Sequence, residues 1–251
     1  MSKIHLMSHL VAGYPSDELA FTAASALVAG GADILEIQLP FSDPCADGPA
    51  IQQACTQVLS RSYKTADGLA FIQRLHQAFP SITIYLMSYA SLVYTPGVEA
   101  FCKKAAQAGV KGMIIPDLPF DCDEGLTKAC IANGMENIPV VAPSMTKERL
   151  HSLAYAGFSH IYAALRTGIT GSDTVIDDST LTFLSQVSEG GSKIYGGFGI
   201  KDGTQAKALA SSVEAIVAGS VFVRLITEYQ NDPKKLYDAV LQKTKELTNQ
   251  A

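Results

Sequence analysis

The chain has 251 residues, 47% hydrophobic and 17% charged, with a formal net charge of −5. That is ample apolar material for a large core, and the acidic balance argues against nucleic acid or an anionic membrane as partner. The five cysteines (Cys45, Cys55, Cys102, Cys122 and Cys130) are odd in number and lack metal-ligand spacing, which suits reduced thiols in a cytoplasmic protein. The first residues are too often interrupted by polar side chains for a secretory signal, and no apolar run reaches membrane-spanning length.

Along the chain, short apolar runs alternate with stretches of helical periodicity. Strands are predicted at 6–11, 34–38, 82–87, 112–115, 138–141, 160–164, 193–195 and 215–218. Helical spacing of apolar residues fills 19–27, 69–79, 98–108, 126–133, 150–156 and 181–187, with start signals at Thr95-Pro96, Thr146 and Asp232-Pro233. Eight strands, each followed by helical sequence and with no linker or repeat between them, predict an α/β fold: a single-domain (β/α)8 TIM barrel spanning 1–251. An open doubly wound sheet is the alternative, but Gly13-Tyr14-Pro15 follows the first strand where a dinucleotide fold would carry G-x-G-x-x-G. The turns at 30–33 and 108–112 lead from helix to strand and belong to the opposite, structural face.

A barrel of this kind builds its site at the carboxyl ends of its strands. There the sequence places Glu36, Gln38, Asp43 and Asp47 after the second strand, Tyr89 after the third, and Asp117 after the fourth. Tyr162 and the run Arg166-Thr167-Gly168-Ile169-Thr170-Gly171 belong to the sixth. The seventh is followed by Gly196-Gly197-Phe198-Gly199-Ile200 and the eighth by Gly219-Ser220. Glycines at the last two positions let backbone N–H groups approach an anion, and Ser220 opens a helix, so a phosphate site read largely by backbone dipoles is expected there. The same glycines also suit plain tight turns. No lysine stands on the sixth strand for a Schiff base, and the five histidines are scattered without metal spacing, His9 being placed to line the mouth. Two carboxylates in different settings, one on a strand and one on a loop, fit acid/base chemistry on a phosphorylated small molecule, although Asp43 and Asp47 also suit turn positions.

The loop P-F-S-D-P-x-A-D-G-P at 40–49, with Tyr89-Ala90-Ser91-Leu92-Val93-Tyr94, Asp117-Leu118-Pro119, the 166–171 run, Gly197-Phe198-Gly199-Ile200 and Gly219-Ser220, resembles the tryptophan synthase alpha chain over nearly the whole length. The resemblance implies a lyase of tryptophan biosynthesis that splits indole-3-glycerol phosphate into indole and glyceraldehyde 3-phosphate by retro-aldol cleavage. It implies Glu36 as the general acid/base and Asp47 as the carboxylate pairing with the indole N–H. It implies Tyr162 and Thr170 as substrate-site residues, and Gly171, Gly199, Gly219 and Ser220 as the phosphate cradle. It further implies a beta-chain partner in an α2β2 assembly, contacted through Asp43, Asp117 and Pro119, with pyridoxal phosphate held by that partner and no cofactor in this chain. Another phosphate-binding barrel, such as a phosphoribosyl isomerase, is disfavoured by the 40–49 loop.

Against the family pattern, Gln38 stands where glycine is usual, Leu165 where serine is, Ser91 where asparagine is and Cys45 where an aliphatic is; the helix region before the first strand is short. Strand alternation points Gln38 the same way as Glu36, into the mouth, unless its side chain folds aside. An alternative therefore stands beside the active lyase: a catalytically weak alpha chain that serves mainly as an allosteric activator of the beta chain. Room beside Glu36 discriminates the two.

Overall fold

A computed structural model describes residues 3–165 and 176–250. Its strands are β1 (Leu6–Val11), β2 (Ile34–Gln38), β3 (Thr83–Met87), β4 (Gly112–Ile114), β5 (Glu136–Asn137), β6 (Val140–Val141), β7 (His160–Ala164), β8 (Lys193–Gly197) and β9 (Ala215–Ala218). All pairings are parallel, in the order β5-β4-β3-β2-β1-β9-β8-β7-β6. Since β5 and β6 are halves of one stretch, 136–141, the row begins and ends on the same segment and the sheet closes into the expected eight-stranded barrel.

The expected continuous strand at 138–141 is corrected to two short pieces, and Pro139 is the reason: it has no N–H to give the ladder. Before it, the Ile138 N–H donates to the Met113 carbonyl at 2.9 Å; at the proline, the carbonyl accepts from the Tyr162 N–H at 2.9 Å. The segment thus bonds first to one neighbour and then to the other. A second correction concerns β8, which runs two residues past its expected end. A Cβ on Gly197 would stand 2.6 Å from the Tyr162 hydroxyl, so glycine here is a strand residue that makes room for a tyrosine, not a turn.

The helices are α1 (Asp17–Ala29), α2 (Pro49–Leu59), α3 (Thr65–Ala78), α4 (Ala90–Tyr94), α5 (Val98–Gln107), α6 (Leu126–Ala132), α7 (Lys147–Ala154), α8 (Asp178–Val187), α9 (Gly203–Leu209), α10 (Ser220–Tyr229) and α11 (Pro233–Leu247). The expected caps at two starts are made: the Thr146 and Asp232 side chains accept from the N–H groups of Arg149 and Lys235. Thr95 instead ends α4, and α5 begins after Gly97. Among the described residues, no helix is long and apolar enough to cross a membrane.

Two apolar layers follow from strand alternation. Leu35 and Ile37 of β2 face the helices, within the layer that also takes Leu10, Leu27, Ile72 and Leu86. Met7, Ile34, Tyr85, Met87, Ile114, Tyr162, Tyr195 and Val217 fill the barrel. Each buried Leu or Ile contributes roughly 1.5–3 kcal/mol, a reserve against which polar side chains can be held at the barrel's carboxyl end. The same alternation turns Glu36 and Gln38 inward. At the opposite end, the turn at Gly30 passes so close to α11 that a Cβ there would stand 2.5 Å from that of Thr244.

Candidate active site

At the carboxyl ends of the strands lies a pocket of about 570 Å3 measured out to its open mouth. Its polar lining is His9, Glu36, Asp47, Tyr162 and Ser220; Ile51, Met87, Ile114, Val140, Phe198 and Val217 give apolar walls. Mostly apolar walls with a few convergent polar groups are the usual build of a small-molecule site. Of the sequence-predicted site residues, Glu36, Asp47, Tyr162, Gly199, Gly219 and Ser220 meet here. Thr170 and Gly171 lie outside the described residues.

Glu36 and His9 are direct neighbours in the β1–β2 register, and His9 Nδ1 stands 3.3 Å from Glu36 Oε2, with 7% and 4% of their side chains exposed. Burial pulls the His9 pKa down, but the Glu36 charge and contact, the Asp47 charge and the Gln38 amide outweigh it, and the net shift is upward.

Asp47, on the loop after β2, is buried. Its Oδ2 accepts from the Tyr89 hydroxyl at 2.8 Å and from Gln38 Nε2 at 2.7 Å. Burial raises its pKa, against the lowering effects of His9, Tyr89 and Gln38. Tyr89 also accepts from the Ala46 N–H at 3.2 Å and stacks on Phe41 at 4.9 Å, so one ring fixes both the loop backbone and its carboxylate. Tyr162 is held edge-on to Phe198 at 6.0 Å, and burial and the charges of Glu36 and Asp47 push its pKa far up, which keeps the hydroxyl protonated.

Gln38 is fully buried, yet it does not line the pocket. Its amide turns aside to Asp47 and to the Cys55 thiol, 3.6 Å away, and burial pushes that thiol's pKa to about 12. The residue expected to obstruct the mouth is a hydrogen-bond donor to a site carboxylate. Leu165 packs in the outer apolar layer, and Ser91 and Cys45 are exposed. None of these departures lines the pocket.

On the rim, Gly219 caps α10 without a side-chain hydrogen bond, and Gly199 adopts φ +90°, a conformation that glycine reaches without strain. These backbone groups and Ser220 put a helix N-terminus at the pocket, where negative charge is favoured. The loops carrying Asp43, Asp117 and Pro119 are exposed, and Asp117 accepts the Ala90 N–H at 2.9 Å, tying the loop after β4 to α4. Among the described residues no group of three or more His, Cys, Asp or Glu could hold a metal ion.

The family model of the tryptophan synthase alpha chain matches residues 1–251. The chain belongs to the tryptophan synthase alpha chain family. It is 38% identical to the tryptophan synthase alpha chain of Helicobacter hepaticus, covering 90% of this chain and 87% of that one. It is 37% identical to that of Methanosarcina barkeri, covering 92% and 87%. Among solved structures, it is similar to Mycobacterium tuberculosis tryptophan synthase (TM-score 0.87, 29% identity, 98% and 93% covered). It is similar also to a chain of the tryptophan synthase complex of Pyrococcus furiosus (TM-score 0.86, 25% identity, 99% and 100% covered).

Sequence reasoning left most of the apolar lining unnamed, because Ile51, Met87, Val140 and Val217 look like ordinary core residues until the barrel curvature is known. It placed His9 at the mouth without a role; the signal available was a histidine one strand away from a glutamate in an otherwise apolar interior.

Proposed function

We propose that this alpha chain cleaves indole-3-glycerol phosphate to indole and glyceraldehyde 3-phosphate at the pocket described, and works with a tryptophan synthase beta chain in an α2β2 assembly. It is a carbon–carbon lyase of tryptophan biosynthesis. The observation that carries the site reading is one apolar pocket holding two carboxylates with different partners, Glu36 beside His9 and Asp47 bound by Tyr89 and Gln38, under a glycine-lined helix N-terminus. Glu36 is the acid/base: it protonates indole C3 and takes the proton of the glycerol hydroxyl. As the carbon–carbon bond breaks, its electron pair returns to the ring and the hydroxyl becomes the aldehyde carbonyl. Asp47 accepts from the indole N–H and stabilises the positive charge on the ring, and Tyr162 supports the apolar wall. Gly199, Gly219 and Ser220 hold the phosphate with Gly171, and Thr170 is a further substrate-site residue, these last two lying outside the described residues.

The 41–49 and 117–119 loops, through the exposed Asp43, Asp117 and Pro119, form the beta-chain contact. Pyridoxal phosphate belongs to that partner, this chain needs no cofactor of its own, and the assembly works in the cytoplasm as one barrel domain per alpha chain. The reading of an inactive, purely activating alpha chain is not favoured, because Gln38 stands aside from the pocket. Steady-state release of indole from indole-3-glycerol phosphate, with the cognate beta chain present, tests the reading. Robust turnover that collapses in Glu36→Gln is expected; absence of turnover in the wild-type complex overturns it.

A further inference from the structure

His9 is a buried histidine at the carboxyl end of the barrel interior, and it stands beside the one carboxyl to which the proposed chemistry assigns both proton transfers. Its surroundings are well defined. Glu36 faces it from β2, Asp47 and Gln38 bear on it from the same strand and the following loop, and Tyr162 reaches towards those carboxylates from β7. From the turn after β9 the backbone of Gly219 closes in, where a Cβ would stand 3.0 Å from that of His9. No Lys or Arg lines the pocket, so the imidazole is its one cation-forming side chain among the described residues.

Two buried atoms here, His9 Nε2 and Gln38 Oε1, lack a hydrogen-bond partner, and Glu36 Oε2 has only the 3.3 Å contact with His9 Nδ1. A histidine kept for packing would have both nitrogens satisfied, since leaving a buried donor unpaired costs about 1–3 kcal/mol. We propose that His9 is a positioning residue of this site, holding a proton in common with the Glu36 carboxyl. A histidine–carboxyl pair, not a lone carboxyl, then gives up and recovers the proton of the cleavage.

The inference rests on Glu36 being the acid/base. Its working form carries one proton for the two groups, written either as imidazolium beside carboxylate or as imidazole beside carboxylic acid. Glu36 delivers that proton to indole C3, and the hydroxyl proton of the breaking glycerol side chain refills the pair, so the balance over one turnover is zero. Asp47, already occupied by Tyr89 and Gln38, is left to the ring N–H. The charges of Glu36 and Asp47 outweigh burial at His9 and place loss of its proton above the ordinary histidine range.

The test is the pH profile of kcat for the alpha–beta complex, comparing wild type with His9→Gln, and with Glu36→Gln as the control on the catalytic reading. With His9 removed, the alkaline limb moves to lower pH by about one unit or more, the size of effect one neighbouring charge exerts. At pH 8 kcat then falls at least ~10-fold, with the gap closing towards pH 5 and KM little changed. A uniform loss of kcat with an unmoved limb, beside an inactive Glu36→Gln, shows His9 to be structural and overturns the inference alone. Full turnover by Glu36→Gln overturns the catalytic reading instead, and the shared-proton role with it. Should His9→Gln fold poorly, the His9 ring resonance of the unliganded wild-type chain decides. Its titration midpoint lies above 6.5 and drops in Glu36→Gln; a midpoint that does not move between the two rules out the pair.

Discussion

The two ends of the barrel are built from the same kinds of side chain and arranged to opposite purposes. At the amino end of the strands, Tyr85 donates to Glu136 at 2.7 Å and stands 2.9 Å from the Tyr195 hydroxyl. His160 Nδ1 lies 2.7 Å from the other Glu136 oxygen, and its ring stacks on Tyr195 at 4.7 Å. A carboxylate, a histidine and tyrosines thus close on one another. At the carboxyl end, His9, Glu36, Gln38, Asp47, Tyr89 and Tyr162 repeat the inventory, yet His9 Nε2 and Gln38 Oε1 are left without hydrogen-bond partners and Glu36 Oε2 has only its 3.3 Å contact with His9. A satisfied polar cluster in a core is structure; an unsatisfied one facing a pocket is held for something that is not part of the chain. Residue types alone do not separate the two.

The largest difference between the ends is expected from matched substitutions of their carboxylates. Glu36→Gln should lower kcat by roughly 10²–10⁴-fold, the usual reach of a general acid/base, while unfolding midpoints change little. Glu136→Gln should do the reverse: it weakens the bonds to Tyr85 and His160, lowers stability by about 1–3 kcal/mol, and leaves kcat close to wild type. Denaturant melts and steady-state rates on the same two proteins check both halves. If Glu136→Gln were the slower enzyme, the contrast between the ends would be mistaken.

A smaller effect sharpens the contrast within the carboxyl end. Gln38→Gly removes the 2.7 Å bond to Asp47 and leaves a void next to Cys55. Turnover should fall by about tenfold as Asp47 loses a donor that fixes its aim, since a displacement near 1 Å at a site is worth up to ~100-fold. A faster Gln38→Gly enzyme would mean that the amide obstructs substrate after all. Burying the pocket's second carboxylate also gives a pH signature. Asp47 has a raised pKa in the folded chain, so it favours the unfolded state above that value, and acidification through it removes part of this penalty. Asp47→Asn should therefore be at least as stable as wild type at neutral pH while turning over more slowly, which thermal melts alongside rates would reveal.

Much of this molecule was legible in its sequence. Four strands, including β2 with Glu36, begin and end where apolar alternation put them, because a barrel strand is buried on both faces and its bounds are marked by the turn residues around it. The helix α2 was missed although Ile51, Ala54, Cys55 and Val58 show helical spacing, because Pro49 reads equally as the end of a loop and as a first helical residue. In the site, the direction of Gln38 was legible and its conformation was not: alternation sends its Cβ inward, but which way a three-bond side chain then turns is decided by Asp47 and Cys55, residues 9 and 17 positions away. The burial of Asp47 was hidden for the same reason, since the Tyr89 that covers it comes from another strand's loop.

The smallest effect belongs to the amino end again, where β1 is tied to β2 by one carboxylate. Asp33 Oδ2 accepts the Leu6 N–H at 3.0 Å, and Oδ1 meets Lys3 Nζ at 2.6 Å and His5 Nδ1 at 3.0 Å. Burial works to raise its pKa, but these donors overcome it and hold the value below the ordinary 3.8. A carboxyl whose folded value is depressed stabilises the fold above its unfolded value and loses that contribution as pH falls through the folded one. Asp33→Asn should accordingly reduce stability by about 1 kcal/mol at pH 7, with kcat unchanged, and the difference should shrink as the pH falls through the depressed folded value. A deficit that persists in acid would place the contribution of Asp33 in its shape and its backbone bond, leaving charge no part in anchoring the closed end of the barrel.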